Sequence, residues 1–535
     1  MKNAIILAAG KSERFAPFTY ERPKGLFCVK GEILIERQIR QLNEAGVYNI
    51  YVVVGYMKEK FFYLEGKYGV ELIVNNTFAK KGNVYSLYSA RKYLGNTFVC
   101  CADHYFEDNP FLEENINNFS YRQCSFQMGK FREFAVTCSD ADVITSVEVG
   151  GENQMAMVGM AYFNKAFSDR FVEYMEKEID DFGIANMFWE EFYAKHQKHL
   201  TLYAKYCEPK NVLEFDCIDD LRQFDSEFLE NVDSEIIMNI CKTIHCNPSE
   251  IVNIQVIQAG LTNVSFEFSV ENIRYVYRHP GGSSGRLIDR KTELLAEKYA
   301  KMLDIDGSII KMDEAGWKIS YYVSDLVKCD FLENRKQLIS AMKQLKKMHS
   351  VKVKDNVRLF DTVQEGKKLM KIASASKGNL FVEFNEIIVK INKLDKYVKE
   401  EAQKYNMQRV LCHNDVYEPN FLATLDGKMY LIDWEYAGLN DPANDIACIL
   451  CRRDYSDDDV ERILEAYFER KLTDIEHRHY IAYIALCGFY WFCWGLYKGS
   501  VGDDDGFFFL PAYRNCIRYL DQALEMYSCK KAEEL

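Results

Sequence analysis

Nothing in this 535-residue chain marks a linker. No internal repeat or low-complexity tract interrupts it and no Pro/Gly linker marks the boundary near 229, so the domain boundary must be sought in the element pattern. A basic excess is missing too. The formal net charge is -13, which argues against nucleic acid as a main partner, because backbone binding relies on clustered Lys and Arg. The 17 cysteines follow no pattern. Only Cys448 and Cys451 have CxxC spacing, with no second Cys or His pair nearby to complete a zinc site. Scattered thiols fit buried packing and a reducing cytoplasmic setting. Long apolar runs are short of membrane length. Residues 4–9 are too few for a signal-peptide core. Residues 481–497 are uncharged but fall below the ~20 residues of a span. They also contain Gly488 and Gly495, so the expectation is a buried helix and no transmembrane segment.

What is present is ordinary globular composition, 48% apolar and 27% charged, in a chain too long for one domain. Short β-rich runs at 4–9, 50–54, 70–74 and 97–102 alternate with helical patterns at 34–45, 57–66 and 83–93. That alternation predicts a mostly parallel sheet wrapped by helices. Leu34, Ile35, Ile39 and Leu42 share one helix face, and Gly46 stops the helix. A strand at 156–162, a helix at 168–178, a strand at 200–206 and a helix at 219–228 complete the first domain, 1–228. The second domain, 229–535, opens with a helix at 234–244. Three antiparallel strands follow (251–258, 264–270, 273–278), then a Gly/Ser loop at 281–285 and a helix at 289–303. The lobes divide near 330, and from about 331 the pattern is helical.

Two constellations carry chemistry. The first is Leu7-Ala8-Ala9-Gly10 with Arg14, Pro17, Thr19 and Pro23-Lys24. A strand ending in small residues lets backbone N–H groups approach phosphate oxygens. Arg14 and Lys24 supply cations for a triphosphate and a leaving pyrophosphate. Asp103 follows the 97–102 run, at a strand's C-terminal end where α/β sites gather ligands. Glu214 and Asp216, two apart, face one way if they lie on a strand. They are either metal ligands or a solvated strand face.

The second constellation is His413-x-Asp415-x4-Asn420, followed by Ile432-Asp433. This is the order of a kinase catalytic loop and its metal aspartate. Asp415 orients or deprotonates the acceptor hydroxyl, and Asn420 and Asp433 hold Mg²⁺ against ATP phosphates. Glu435 supports the metal, while Asp445 and His413 brace the loop. GxGxxGxV, VAIK and APE elements are absent, which excludes an ordinary protein kinase.

The first constellation, with Val52-Val-Val-Gly-Tyr56 and Asn83-Val84-Tyr85-Ser86-Leu87, resembles the nucleotidyltransferases that join a nucleoside monophosphate to a sugar phosphate or phospho-alcohol. The nearest likeness is to bacterial CTP:phosphocholine cytidylyltransferases. Ser12 stands where the common loop has a second Gly. The resemblance implies a Rossmann-like mixed sheet, CTP and phosphocholine as substrates, and Mg²⁺ on Asp103, Glu214 and Asp216. Trp189 and Glu190 are candidates for the quaternary ammonium, although Trp189 also reads as plain core.

The second constellation, with Ala259-Gly-Leu-Thr262-Asn263 and Tyr277-Arg278, resembles the choline/ethanolamine kinases among the aminoglycoside-phosphotransferase-like kinases. That implies a bilobal protein-kinase-like α+β domain using ATP and Mg²⁺. It also implies Arg278 in the place of the nucleotide lysine, with Glu293 as its ion-pair partner. Choline's dispersed charge is bound best by aromatic faces. Trp494 and Tyr497, i and i+3 on a helix, together with Tyr436, are the expected box; the alternative is that they are core.

The joint expectation is a cytoplasmic enzyme of α/β class that phosphorylates choline and then makes CDP-choline. Ethanolamine in place of choline, a sugar-1-phosphate nucleotidyltransferase fused to a small-molecule kinase, and a non-catalytic scaffold are the alternatives. Intact Asp415, Asn420 and Asp433 argue against the scaffold.

Overall fold

In the computed structural model, residues 2–112, 119–257, 264–280, 288–377, 384–501 and 506–533 are described. Packing divides the chain into two units. One comprises 1–256 with 268–271, and the other 257–267 with 272–535.

The first unit is built on a seven-stranded mixed sheet. Its order is Tyr203–Tyr206, Tyr121–Cys138, Ile144–Phe163, Thr97–Cys101, Asn3–Ala8, Ile50–Val54, Glu71–Val74. Asn3–Ala8 pairs in parallel with Ile50–Val54 on one side and Thr97–Cys101 on the other. Ala4 and Ile6 enter one core and Ile5 and Leu7 the other. Burial on both faces is why the run reads as continuously apolar, as in parallel strands generally. The helix Leu34–Glu44 buries Leu34, Ile35, Ile39 and Leu42. It ends at Gly46, whose φ of 73° puts it in the left-handed region. The parallel neighbours of Asn3–Ala8 lie on opposite sides, so a crevice opens at the C-terminal ends of these strands, where α/β folds place ligands.

The sheet is mixed, as the resemblance implies, because the long hairpin Tyr121–Cys138/Ile144–Phe163 joins Thr97–Cys101 in antiparallel sense. Two local expectations are corrected. Glu214 and Asp216 are not on a strand. Val212–Leu213 has only the two-residue partner Tyr105–Phe106, so pairing stops at Leu213. Finally, 229–256 packs with the first unit. Ile236 N donates to Glu21 Oε1 (3.0 Å) and Arg222 Nη1 to Ile251 O (2.9 Å), which ties this segment back to the nucleotidyltransferase-like half.

In the second unit, Ile273–His279 pairs antiparallel with Lys318–Tyr321, which pairs with Ile309–Met312. Strands Val252–Ile257 and Val264–Val270 form where expected. The helix Arg290–Met302 is capped by Asp289. Beyond Arg335 the unit is mainly helical, with short sheets such as Val410–Cys412/Gly438–Asn440 that hold the loops. The helix Asp474–Ser500 is long and apolar enough to cross a membrane, but 89% of its most apolar window is buried in the fold. Its glycines serve helix packing. A Cβ on Gly488 would lie 2.8 Å from Ala512 O of the helix Gly506–Glu533.

Candidate active sites

In the first unit the small-residue loop leaves the strand at Ala8. Ala9 O accepts from Tyr56 N (3.1 Å), joining the loop to the Gly55-Tyr56 corner. Leu7 ends the paired core, and Gly10 has open space around it. Ser12 adopts φ 50°, ψ 49°. This left-handed geometry explains the glycine preference there, since glycine adopts it without a Cβ penalty.

Lys24 is buried in the turn Lys24–Leu26. Its Nζ donates to Asp103 Oδ2 (2.9 Å) and Phe215 O (2.7 Å). Arg14 pairs with Asp216 at the exposed mouth. Desolvation opposes the charge on Asp103, but Lys24 and His104 outweigh it and draw the carboxyl down to about 2. His104, which the sequence did not single out, is buried, and its Nε2 meets Glu214 Oε1 at 2.7 Å. Desolvation is again overcome, chiefly by His104, and Glu214 stays below the ordinary carboxyl value. Gln38, also unforeseen, donates to Cys101 O and His104 O (2.9 and 2.8 Å) and fixes the carboxylate-bearing turn. The loops thus gather Asp103 and Glu214 around Lys24 and His104, with Asp216 on Arg14. Ionised hard oxygens of this kind suit Mg²⁺.

Trp189 is 2% exposed and packs edge-on against Phe163 (5.4 Å between centroids). Arg122 already covers its ring at 5.4 Å. Glu190 is buried beside Arg122 (3.3 Å). Burial, partly offset by Arg122, raises its carboxyl to about 7. Glu190 Oε2 and Arg122 Nε have no hydrogen-bond partner among the described residues.

In the second unit Asp445, at the start of the helix Ala443–Cys451, accepts from His413 N (2.9 Å) and Asn414 N (2.7 Å). It also contacts His349 Nε2 at 3.0 Å. The loop geometry is therefore set from beneath by one buried carboxylate. Asn420 Nδ2 donates to Asp415 O (2.8 Å), so the amide nitrogen, not the amide oxygen, is spent on the loop. Asp433, at φ 68°, pairs with Arg278 Nη1 (3.2 Å). Arg278 Nη2 reaches the fully buried Glu293 at 2.5 Å. The implied Arg–Glu pair is thus present, with Asp433 at its open end. The amide oxygen of Asn420 and the carboxylate of Asp433 are again hard donors fit for Mg²⁺. The His413 ring lies tilted 4.5 Å from that of Trp434 and its Nε2 meets Ile432 O at 2.9 Å, contacts that fit the expected brace. Thr262 and Asn263 lie outside the described residues.

Trp494 Nε1 donates to Tyr436 OH (3.0 Å). Tyr497 is buried one turn further on. Trp491, absent from the expected box, lies 5.7 Å from both Trp494 and Tyr436 by ring centroids. Its i, i+3 relation to Trp494 was the available signal. Arg452, unmarked by any motif, is ion-paired with Asp415. Burial raises the Asp415 carboxyl, and Arg452 opposes that rise.

The comparisons agree with this geometry. Residues 4–158 match the MobA-like NTP transferase domain. Residues 254–485 match the choline/ethanolamine kinase family. The chain is 34% identical over 230 residues to a 2-aminoethylphosphonate cytidylyltransferase of Lancefieldella rimae, covering 42% of this chain and 93% of that protein. It is 32% identical over 232 residues to a choline-phosphate cytidylyltransferase of Streptococcus pneumoniae, covering 43% and 98%. The chain belongs to the cytidylyltransferase family and carries a choline/ethanolamine kinase domain fused behind it. It is a transferase with two activities, a nucleotidyltransferase and a kinase. A solved choline kinase of Streptococcus pneumoniae is similar at 21% identity and TM-score 0.45, covering 54% of this fusion chain and 98% of that chain.

Proposed function

We propose that the kinase half phosphorylates choline with ATP and that the cytidylyltransferase half joins the resulting phosphocholine to CTP, releasing pyrophosphate and CDP-choline. The observation that carries this reading is one chain with two intact constellations, the Lys24–Asp103 cluster and the Asp415–Asn420–Asp433 loop, the latter beside an aromatic cluster. Nucleotidyl transfer is assigned within 1–228 and phosphotransfer within 229–535, in a cytoplasmic enzyme.

In the first reaction Asp415 accepts the proton of the acceptor hydroxyl, and Arg278, held by Glu293, binds nucleotide phosphate. Tyr436, Trp491, Trp494 and Tyr497 offer π faces to the quaternary ammonium. Asn420 and Asp433 hold Mg²⁺. In the second reaction Leu7, Ala8, Ala9 and Gly10 lie along the nucleotide, while Lys24 and Arg14 balance its triphosphate. Asp103, Glu214 and Asp216 would hold the second Mg²⁺, which would supply positive charge to the phosphate oxygens. The phosphocholine phosphate oxygen attacks the α-phosphorus, and the chain's own cations stabilise the charge that develops.

A second reading for the first half is an acceptor with a primary ammonium, such as 2-aminoethylphosphonate or phosphoethanolamine. Two observations favour it. The Trp189 ring is buried under Arg122, and the unpartnered Glu190 Oε2 can accept from an N–H that choline lacks. A substrate panel separates the readings. Choline and ethanolamine are each offered with ATP; phosphocholine, phosphoethanolamine and 2-aminoethylphosphonate are each offered with CTP, UTP and ATP. Choline-dependent ADP and CTP-dependent CDP-choline are expected. CTP turnover with only the primary ammonium acceptors selects the second reading.

A further inference from the structure

The chemistry proposed above leaves one charged group beside Asp415 without a task. Arg452 follows the helix Ala443–Cys451 and is ion-paired with Asp415. Its guanidinium carbon lies 3.6 Å from the centroid of Trp491 and 4.3 Å from that of Tyr417. The buried Arg452 Nε and the indole N–H of Trp491 find no hydrogen-bond partner among the described residues. A second cation repeats the theme one turn along, with Lys498 Nζ 5.5 Å over the ring of Trp494.

A guanidinium is weakly hydrated and stacks on aromatic rings. Two rings and a carboxylate are also what a weakly hydrated ammonium requires. The Trp491 ring is continuous with Tyr436 and Trp494, and Asp415 is the carboxylate that faces the acceptor hydroxyl. Two cations cannot share the cage without like-charge repulsion in a desolvated space. We propose that Arg452 is a resident stand-in for the acceptor's ammonium: its guanidinium holds the Trp491–Tyr417–Asp415 cage while no acceptor is bound, and the acceptor enters by displacing it. This rests on the acceptor being a cationic alcohol, as proposed above. Acceptor affinity is then a difference between two cations competing for one cage, and Arg452 sets it without touching ATP.

The test is choline binding to the full-length protein by calorimetry, without ATP. Arg452→Met removes the competing charge and keeps an apolar stem. It should tighten choline binding by about tenfold or more, whereas ATP affinity should move by less than about twofold. Arg452→Lys keeps a cation and should stay within about threefold of the parent. Methylguanidinium should bind Arg452→Met and not the parent. A folded Arg452→Met that binds choline measurably but no more tightly than the parent overturns the proposal. If methylguanidinium binds the variant as expected but choline binds neither protein, the cage stands and the choline reading falls. If neither cation binds the variant, the cage falls as well. Should Arg452→Met not fold, arginine-labelled parent answers by NMR. The ring-shifted Nε–H of Arg452, assigned by its loss in Arg452→Lys, must move to its unshifted position with choline. An unmoved signal at saturating choline overturns the proposal.

Discussion

The two sites neutralise their carboxylates in different ways. In the cytidylyltransferase half, the Arg14–Asp216 pair has 63% and 56% of its side chains exposed. In the kinase half, the Arg278–Glu293 pair has 8% and 0%. The first site is assembled from loops beyond strand ends, and its outer pair, Arg14–Asp216, lies at the exposed mouth, while Lys24 is buried on Asp103. An exposed pair like Arg14–Asp216 contributes little to stability and exchanges readily for a ligand. The second is wired from below, with Asp445 holding two backbone amides and Glu293 holding Arg278. Buried pairs of this kind are costly to break, because the partner left behind is unpaired. Function at the first site should therefore be separable from stability, and function at the second should be tied to it.

The largest effects should separate the two activities. Asp103→Ala should lower CDP-choline formation by about a thousandfold or more and leave choline phosphorylation intact, while Asp415→Asn should do the reverse. Product chromatography with each substrate supplied separately reads this. Loss of both activities in either folded variant would break the comparison at its root.

Next comes the brace. Asp445→Ala leaves the amides of His413 and Asn414 buried without an acceptor, at about 1–3 kcal/mol each. The kinase half should unfold at lower urea and lose activity, with CDP-choline synthesis from supplied phosphocholine spared. An unchanged urea profile would show that the loop does not depend on this carboxylate.

Trp494→Ala should raise the choline KM by about thirtyfold, from a desolvated cation–π contact of ~2 kcal/mol. The ATP KM should change little. Trp494→Phe keeps a weaker ring but loses the bond to Tyr436 OH, so an intermediate value is expected. A choline KM equal to the parent's in both variants returns Trp494 to the core.

Glu190 should make stability pH-dependent. Burial lifts its folded carboxyl to about 7, above the ordinary value of 4.5. Between those values the unfolded chain has lost a proton that the fold retains, so stability falls as pH rises through that window and levels off above it. Melting temperatures should show this fall in the parent, and Glu190→Gln should flatten it. A parallel pH dependence in both proteins rules Glu190 out as the source.

The smallest stability effect should come from Arg14→Ala. An exposed pair is worth about 0–1 kcal/mol, so unfolding should hardly move, although the CTP KM rises. A large drop in stability would mean that the first site is wired like the second.

Much of this contrast was legible before any coordinates. The apolar runs of the parallel strands, the Gly46 stop and the 413–420 loop are local patterns, and local patterns survive in sequence. The Arg278–Glu293 pair came from resemblance and is present in the fold. His104, Gln38 and Arg452 were not foreseen, because each acts on a group distant in sequence, whereas Trp491 was missed despite its i, i+3 relation to Trp494. Gln38 reaches Cys101 and His104 across more than sixty positions. The placement of 229–256 with the first unit was missed for the same reason, since a helix cap shows where a helix starts and not which core it joins.

By itself, then, the sequence determined most element types, the order of the two domains and which residues are candidates for the chemistry, because backbone periodicity and motif spacing are encoded within a few residues. Only the tertiary structure decided which charges neutralise which. Lys24 settles on Asp103, Arg14 on Asp216 and Arg452 on Asp415. Ion pairing and desolvation depend on distance and burial in space, and neither is written in the spacing along the chain.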